Sequence, residues 1–441
     1  MTPQVRAPRK RLLMPTIRTT RTRPTIRVTT PTRATRTRTR LTQTRTRPTR
    51  VSSLVRAVDP VSTEEFLAEH WEQRPLVVAR DEEERFHDLL SVADVERLLC
   101  SGGLRQPAFR LVKAGEKIDA ASYTTSIPWR PAPFSGTAEI GRVLGEFDAG
   151  ATLVLQGLHL YWPPLAEFCR TLEGELGHSA QANAYFTPRD AQGLPVHHDT
   201  HDVFSLQVSG EKRWLVYEPA LELPLKDQRY KPEHGGPGET VHDVTLKSGD
   251  ALYLPRGWLH EAATSSTDSL HITVGVNVYT WLDAFKAALD DCADDLEFRH
   301  LPAGEPDELV ERLRARLEPE QVARRQRRRL VRTRRPILDG QLGQLRTLDA
   351  LTLDTLLERR QTVLFDLDGL TLAFEGKELS FPGSVEESIA FAAATVGPFT
   401  PAQLPGDLDD ESRLVLVRRL VREGFLRISE AAPRSGEDAE G

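Results

Sequence analysis

Between residues 182 and 279, apolar side chains recur at alternate positions in short runs broken by Gly and Pro, the pattern of half-buried strands. Within residues 203–217, Phe204, Leu206 and Val208 share one face and Ser205 and Gln207 the other, while Ser209-Gly210 supplies a tight turn. The stretch predicts a two-stranded hairpin whose polar face walls a hydrophilic cavity. A bulge ahead of Phe204 would break the parity this wall shares with positions 197, 199 and 201. The run Ala251-Leu252-Tyr253-Leu254 predicts a buried strand, stopped by the turn Pro255-Arg256-Gly257. Many short strands with such punctuation predict a jelly-roll barrel. Helical periodicity flanks it, at 63–71 (opened by Thr63 and early glutamates), 92–100 and 164–176 before, and at 282–298 and 307–335 after. The final stretch changes again: a hairpin over 371–381, helices over 385–395 and 412–423 and a strand over 425–428 predict a small winged-helix-like module. The fold class is mainly β with α, an α+β chain in which a jelly-roll body (51–281) precedes a helical segment (282–340) and the winged-helix-like domain (341–441).

Composition adds a second object. The 441 residues are 39% hydrophobic and 28% charged, ordinary for a soluble chain with a large core. Residues 1–50, however, hold 15 basic and no acidic residues in Thr-Arg repeats, whereas 43 basic and 64 acidic residues follow Arg50, a net charge near −21. The tail cannot build a core and reads as disordered. It fits a tether to nucleic acid or another anionic surface, an organellar presequence, or a translated upstream extension without selected function. The three cysteines, Cys100, Cys169 and Cys292, are widely spaced and form no C-x-x-C pair, so neither a zinc site nor a disulfide framework is implied, which fits a reducing cytoplasm. No apolar run of about 18 residues is present to cross a bilayer.

Chemistry enters with Pro195-Val196-His197-His198-Asp199-Thr200-His201 and with His260, which follows the 255–257 turn. Alternate residues of a strand share a face, so His197 and Asp199 are expected as neighbours, and a histidine at a strand end can re-enter the same cavity. Two imidazoles and one carboxylate occupy one face of an octahedron and leave the other open, as non-haem iron oxygenases require. The motif alone does not choose: His198 is adjacent, Asp199 and His201 have the same spacing, and histidine clusters near a strand start are usually surface or packed imidazoles. Lys212 could pair with a carboxylate if it points inward.

In these stretches the chain resembles the JmjC-type cupin oxygenases, most closely their ribosomal-oxygenase branch of 2-oxoglutarate- and Fe(II)-dependent protein hydroxylases. The resemblance is carried by Ala182-Asn183-Ala184-Tyr185, by Gly193-Leu194-Pro195-Val196-His197-His198-Asp199, by Asp202-Val203-Phe204-Ser205-Leu206-Gln207, by Gly210-Glu211-Lys212-Arg213-Trp214 and by residues 249–260, in the family's order. It implies a JmjC-like double-stranded β-helix and selects His197, Asp199 and His260 as iron ligands over His198 and His201. Lys212 becomes the partner of the distal carboxylate of 2-oxoglutarate, Asn183 and Tyr185 contact co-substrate or substrate, and no catalytic residue is implied apart from the metal ligands. Gly275 stands where some members have serine, so that contact is missing or comes from Thr273 or Asn277. The implied reaction couples oxidative decarboxylation of 2-oxoglutarate to succinate with hydroxylation of a C–H bond. Demethylation of methyl-lysine is chemically open, although no aromatic cage is evident.

The expected function is therefore hydroxylation of a protein side chain, a ribosomal protein or another basic polypeptide being the candidate partner of the acidic body. A non-catalytic metal-binding cupin scaffold, and a hydroxylase of a peptide or small-molecule natural product, are the alternatives. A homodimer through the helical segment is implied by the resemblance, no membrane partner is expected, and nucleic-acid contact is not required. The arginines between Arg324 and Arg335 read as a solvated helix face, with RNA contact as the other reading. Phe365-Asp366-Leu367-Asp368-Gly369 imitates a phosphatase nucleophile motif, but too little chain follows for that fold, and Asp368-Gly369 is an ordinary turn.

Overall fold

The computed structural model describes residues 52–429, except 102 and 303; the Arg/Thr-rich tail lies outside the described residues. Alternation does produce strands. An antiparallel sheet runs in the order Leu76–Val78, Ala251–Leu254, Asp202–Pro219, Ser269–Asn277, Ser179–Thr187, Thr152–Leu155, Phe109–Lys113 and Glu116–Lys117. Two more strands, Thr240–Lys247 and Trp258–Ala263, flank the far half of Asp202–Pro219 and form the second wall.

Residues 202–219 correct one expectation. They form one 18-residue strand rather than a hairpin. The half before Gly210 pairs with Ala251–Leu254 and Ser269–Asn277, and the half after it with Thr240–Lys247 and Trp258–Ala263. Each half finds its hydrogen bonds on other strands, so Ser209-Gly210 bends the chain from one wall to the other instead of reversing it. Gly210 has φ +67°, and a Cβ there would lie 1.9 Å from the Asp268 carbonyl oxygen. Gln207 braces the bend, its side-chain amide donating to the Ser209 carbonyl (2.9 Å) and the Ser269 hydroxyl (2.9 Å). Gly210→Ala is expected to destabilise the protein by at least about 2 kcal/mol, from left-handed backbone strain and the displaced 268–269 segment. An unchanged urea midpoint would contradict this.

Phe204, Leu206 and Val208 face the main core, where Phe66, Phe86, Phe109 and Tyr253 seat the amino-terminal helices against the sheet. A smaller core of Trp214, Val216, Leu246, Leu252 and Leu254 closes the far part of the barrel. The carboxyl-terminal region has its own core, built from a meander (Phe365–Asp368, Thr371–Phe374, Lys377–Ser380), the helices Glu386–Ala394 and Asp410–Glu423, and the short pair Leu357–Arg359 with Leu426–Ile428.

The arginine run forms a largely exposed helix face, as expected, and its side chains pair with neighbouring carboxylates. Helix Pro319–Thr333 spends it on carboxylates: Arg325 on Asp291 (2.6 Å), Arg329 on Asp283 (3.4 Å), Arg324 and Arg328 on Asp368, Arg328 also on Asp366 (3.1 Å), and Arg332 on Glu378 (3.3 Å). The acids of the phosphatase-like motif are thus ion-pair partners that fasten the carboxyl-terminal meander to the helix. Deeper in this seam Arg170 is buried between Glu173 (3.1 Å) and Glu375 (2.6 Å), and Glu173 also pairs with Arg334. Truncating one member leaves an uncompensated charge, so Glu375→Ala is expected to cost about 3–5 kcal/mol. The double change Arg170→Met with Glu375→Met should recover much of that in urea unfolding, whereas a loss below about 1 kcal/mol for Glu375→Ala would refute the burial argument.

Candidate active site

The site starts from a backbone pairing. His197 and His260 exchange both main-chain hydrogen bonds (3.1 and 2.8 Å), which makes them direct cross-strand neighbours and brings their rings to 4.5 Å. Residues 198–201 are irregular rather than a strand, so parity is not what brings Asp199 to the histidines. Its carbonyl accepts the Gly257 amide (3.0 Å), tying it to the turn that leads into His260. Gly257 has φ +91°, and a Cβ there would meet the Leu221 carbonyl at 2.2 Å.

One ligand atom from each of His197, Asp199 and His260 lies within 4.8 Å of the others. The two imidazoles are preset: Nδ1–H of His197 donates to the Pro195 carbonyl (2.8 Å) and that of His260 to the Trp258 carbonyl (3.0 Å). This leaves both Nε2 lone pairs for a cation, the usual outer-sphere arrangement for ligating histidines. Burial alone would raise the Asp199 carboxyl, but the four surrounding imidazoles, His201 foremost, hold it below its ordinary value. Burial, with His197 next, pushes His260 well down, so its ring is neutral near pH 7. A divalent ion of borderline softness fits this donor set. His198 is turned away and packs edge-on to Tyr230 (5.6 Å).

The triad opens into a cavity of about 870 Å³ that Asn183, Tyr185 and Lys212 also line. Lys212 is buried and donates to the Thr187 hydroxyl (2.9 Å), yet among the described residues it makes no ion pair. Burial pushes its ammonium down to about 7. Tyr185 stacks on His271 (5.1 Å), and burial pushes its phenol up. The Asn183 carbonyl oxygen accepts the Gly157 amide (2.9 Å), which leaves its NH2 for the cavity. Ser205 and Gln207 are buried but do not line the cavity; Val203 does. Thr273 lines it and Asn277 does not.

Sequence reasoning missed Thr187, His271 and Trp214. Thr187 shares strand parity with Asn183 and Tyr185, and His271 with Thr273, so alternation carried the signal. Trp214 packs 6.0 Å from His260 and 5.5 Å from His271, walling the space between the triad and Lys212.

Residues 161–284 match the family model described as JmjC domain. The chain carries a JmjC domain. Around it, the sequence is 31% identical over 223 residues to the Drosophila persimilis bifunctional lysine-specific demethylase and histidyl-hydroxylase NO66, covering 50% of this chain and 31% of that protein. It is 32% identical over 263 residues to ribosomal oxygenase 1 of Gallus gallus, covering 57% of this chain and 42% of the relative. The matched part therefore spans less than half the length of either protein. The structure of YcfD, a ribosomal oxygenase from Escherichia coli in complex with cobalt and 2-oxoglutarate, superposes with a TM-score of 0.53 over 84% of this chain and 99% of that one at 20% identity. That likeness establishes the JmjC cupin fold. All three proposed metal-site residues fall inside the JmjC segment, as does Lys212.

Proposed function

We propose that this protein is a 2-oxoglutarate- and Fe(II)-dependent oxygenase that hydroxylates a protein side chain, with a ribosomal protein as the candidate substrate. The observation that carries this reading is Lys212: a buried ammonium with no carboxylate partner among the described residues, in the same cavity as a two-histidine, one-carboxylate cluster. Burying an unpaired cation is costly unless an anion arrives, and a dicarboxylate able to chelate the metal at one end supplies that anion at the other. His197, Asp199 and His260 would hold the iron, and Lys212, steadied by the Thr187 hydroxyl behind it, would fix the far carboxylate. When bound, iron and 2-oxoglutarate would, with dioxygen as the oxidant, supply hydroxylation of an unactivated C–H bond, one oxygen atom going to the product and the other to succinate, with release of carbon dioxide. The chain's own task is to bind, orient and keep water from the walled side, where Tyr185, Trp214 and His271 are packed. The named relatives and the acidic body, near −21 after Arg50, support a cationic polypeptide as the partner.

A homodimer is part of the same reading. Helix Trp281–Cys292 leaves Trp281, Leu282, Phe285 and Leu289 exposed along one stripe, with Trp281 at 64%. Such a stripe is what a partner helix covers.

The decisive experiment is anaerobic titration of the Fe(II)-loaded protein with 2-oxoglutarate, followed by oxygen and succinate measurement. A visible charge-transfer band and succinate release are expected, together with a one-oxygen mass gain on a peptide that is absent from cells lacking the gene. Metal binding without the band would favour the scaffold alternative.

A further inference from the structure

Gly275 sits in the middle of strand Ser269–Asn277, paired with Val203 on one side and Gln181 on the other, and lines the cavity. Its backbone is ordinary extended strand, so conformational freedom does not explain a glycine. Space does. A Cβ at this position would lie 2.9 Å from Nε2 of His201, 3.1 Å from Cδ2 and 3.2 Å from Cε1. The distal edge of the His201 ring thus fills the volume that any side chain at 275 would take.

His201 is poorly explained by packing alone. Its Nδ1 is buried without a hydrogen-bond partner, so Nε2, over Gly275 at the cavity wall, is the ring's working polar atom. Of the other polar groups of the wall, Thr152 is committed to Thr187 and Glu261 to Tyr217 and Gln192, while the Asn183 NH2 and the unpartnered Trp214 Nε1 lie farther along it. His271, also unpartnered at Nδ1, stands near Lys212. His201 stands near Asp199, where it is the strongest of the imidazole influences on that carboxyl. The cavity therefore has one unspent imidazole at each end.

Resting on the oxygenase reading above, we infer that His201 is a positioning residue for the co-substrate: seated on Gly275, its Nε2–H donates to the metal-proximal carboxylate of a 2-oxo acid, while Lys212 holds the distal one. Gly275 is then the residue that makes room for this donor. The pair His201 and Gly275 acts as one unit, and changing either alone disables it.

The test is a binding cycle on Co(II)-loaded protein, with the dissociation constants of Co(II) and of 2-oxoglutarate measured separately by calorimetry for wild type, His201→Ala, His201→Gln, Gly275→Ser and the double variant His201→Ala with Gly275→Ser. His201→Ala is expected to weaken 2-oxoglutarate binding roughly 10- to 100-fold, the fold-change of one charge-assisted hydrogen bond, with Co(II) affinity changed less than about 3-fold. His201→Gln should recover part of the loss, since it keeps a donor. Gly275→Ser should weaken binding alone by displacing the ring, and less in the His201→Ala background, where the ring is gone. Unchanged 2-oxoglutarate affinity in His201→Ala, additive losses in the double variant, or a parallel loss of Co(II) affinity would each overturn the inference. Wild-type protein that binds Co(II) but not 2-oxoglutarate would overturn the oxygenase reading, and this one with it.

Discussion

Asp199→Ala is expected to leave a folded protein that releases no succinate above background and binds Fe(II) or Co(II) more than about 100-fold more weakly, since even outer-sphere partners of ligating histidines are worth about 10–100-fold. The carboxylate contributes more than one donor atom. It is the only anion of the cluster, so without it two neutral imidazoles must hold a dication alone. Folding should survive, because burial works against the carboxylate in the metal-free protein and only the imidazoles around it hold it ionised. The measurement is calorimetric metal titration beside far-UV circular dichroism and a melting curve. Tight metal binding with near wild-type succinate release would remove Asp199 from the site, and a collapsed melting curve would show that its role is structural.

The cluster was legible through the family resemblance rather than through local pattern, because the backbone pair that joins His197 to His260 and the Gly257 amide that ties Asp199 beside them link distant stretches of the chain. The reason offered from alternation was nonetheless incomplete, since residues 198–201 leave the strand and Asp199 is placed by Gly257. Strand parity holds where strands are regular, as at Asn183, Tyr185 and Thr187, although the first two were named through the resemblance and Thr187 was missed, and the turn expected at Ser209-Gly210 proved to be a bend. A glycine with positive φ serves a hairpin turn and a wall-to-wall bend equally well. Only the partners of each half decide between them, and these lie tens of residues away. The arginine helix illustrates the same limit. Its carboxylates belong to Trp281–Cys292 and to the meander after residue 365, so no local pattern announces that the run is an internal clasp. Gly275 was visible as a departure from the resembling family, but its cause, the His201 ring, required coordinates.

Lys212 gives the second large expected effect, and its sign follows from burial. In the ligand-free protein the ammonium is pushed from 10.5 down to about 7, so the unfolded chain holds the proton more tightly than the folded one. Stability from this group accordingly rises as pH climbs from about 7 toward 10.5, and the burial penalty is complete below about 7. Binding runs the other way. A carboxylate needs the charged form, so above pH 7 each molecule of 2-oxoglutarate must bring a proton with it, and its apparent affinity should approach a fall of about 10-fold per pH unit, reaching about 50-fold between pH 7 and 9. Lys212→Met removes the charge-assisted bond and should weaken binding roughly 10- to 100-fold at pH 6. It should also flatten the profile, so that the two proteins converge at high pH. Hydroxide competing for the metal affects both alike, which makes the ratio of their dissociation constants across pH the informative quantity. A constant ratio from pH 6 to 9 would mean that Lys212 keeps its charge throughout, and equal affinities at pH 6 would mean that the distal carboxylate is held elsewhere.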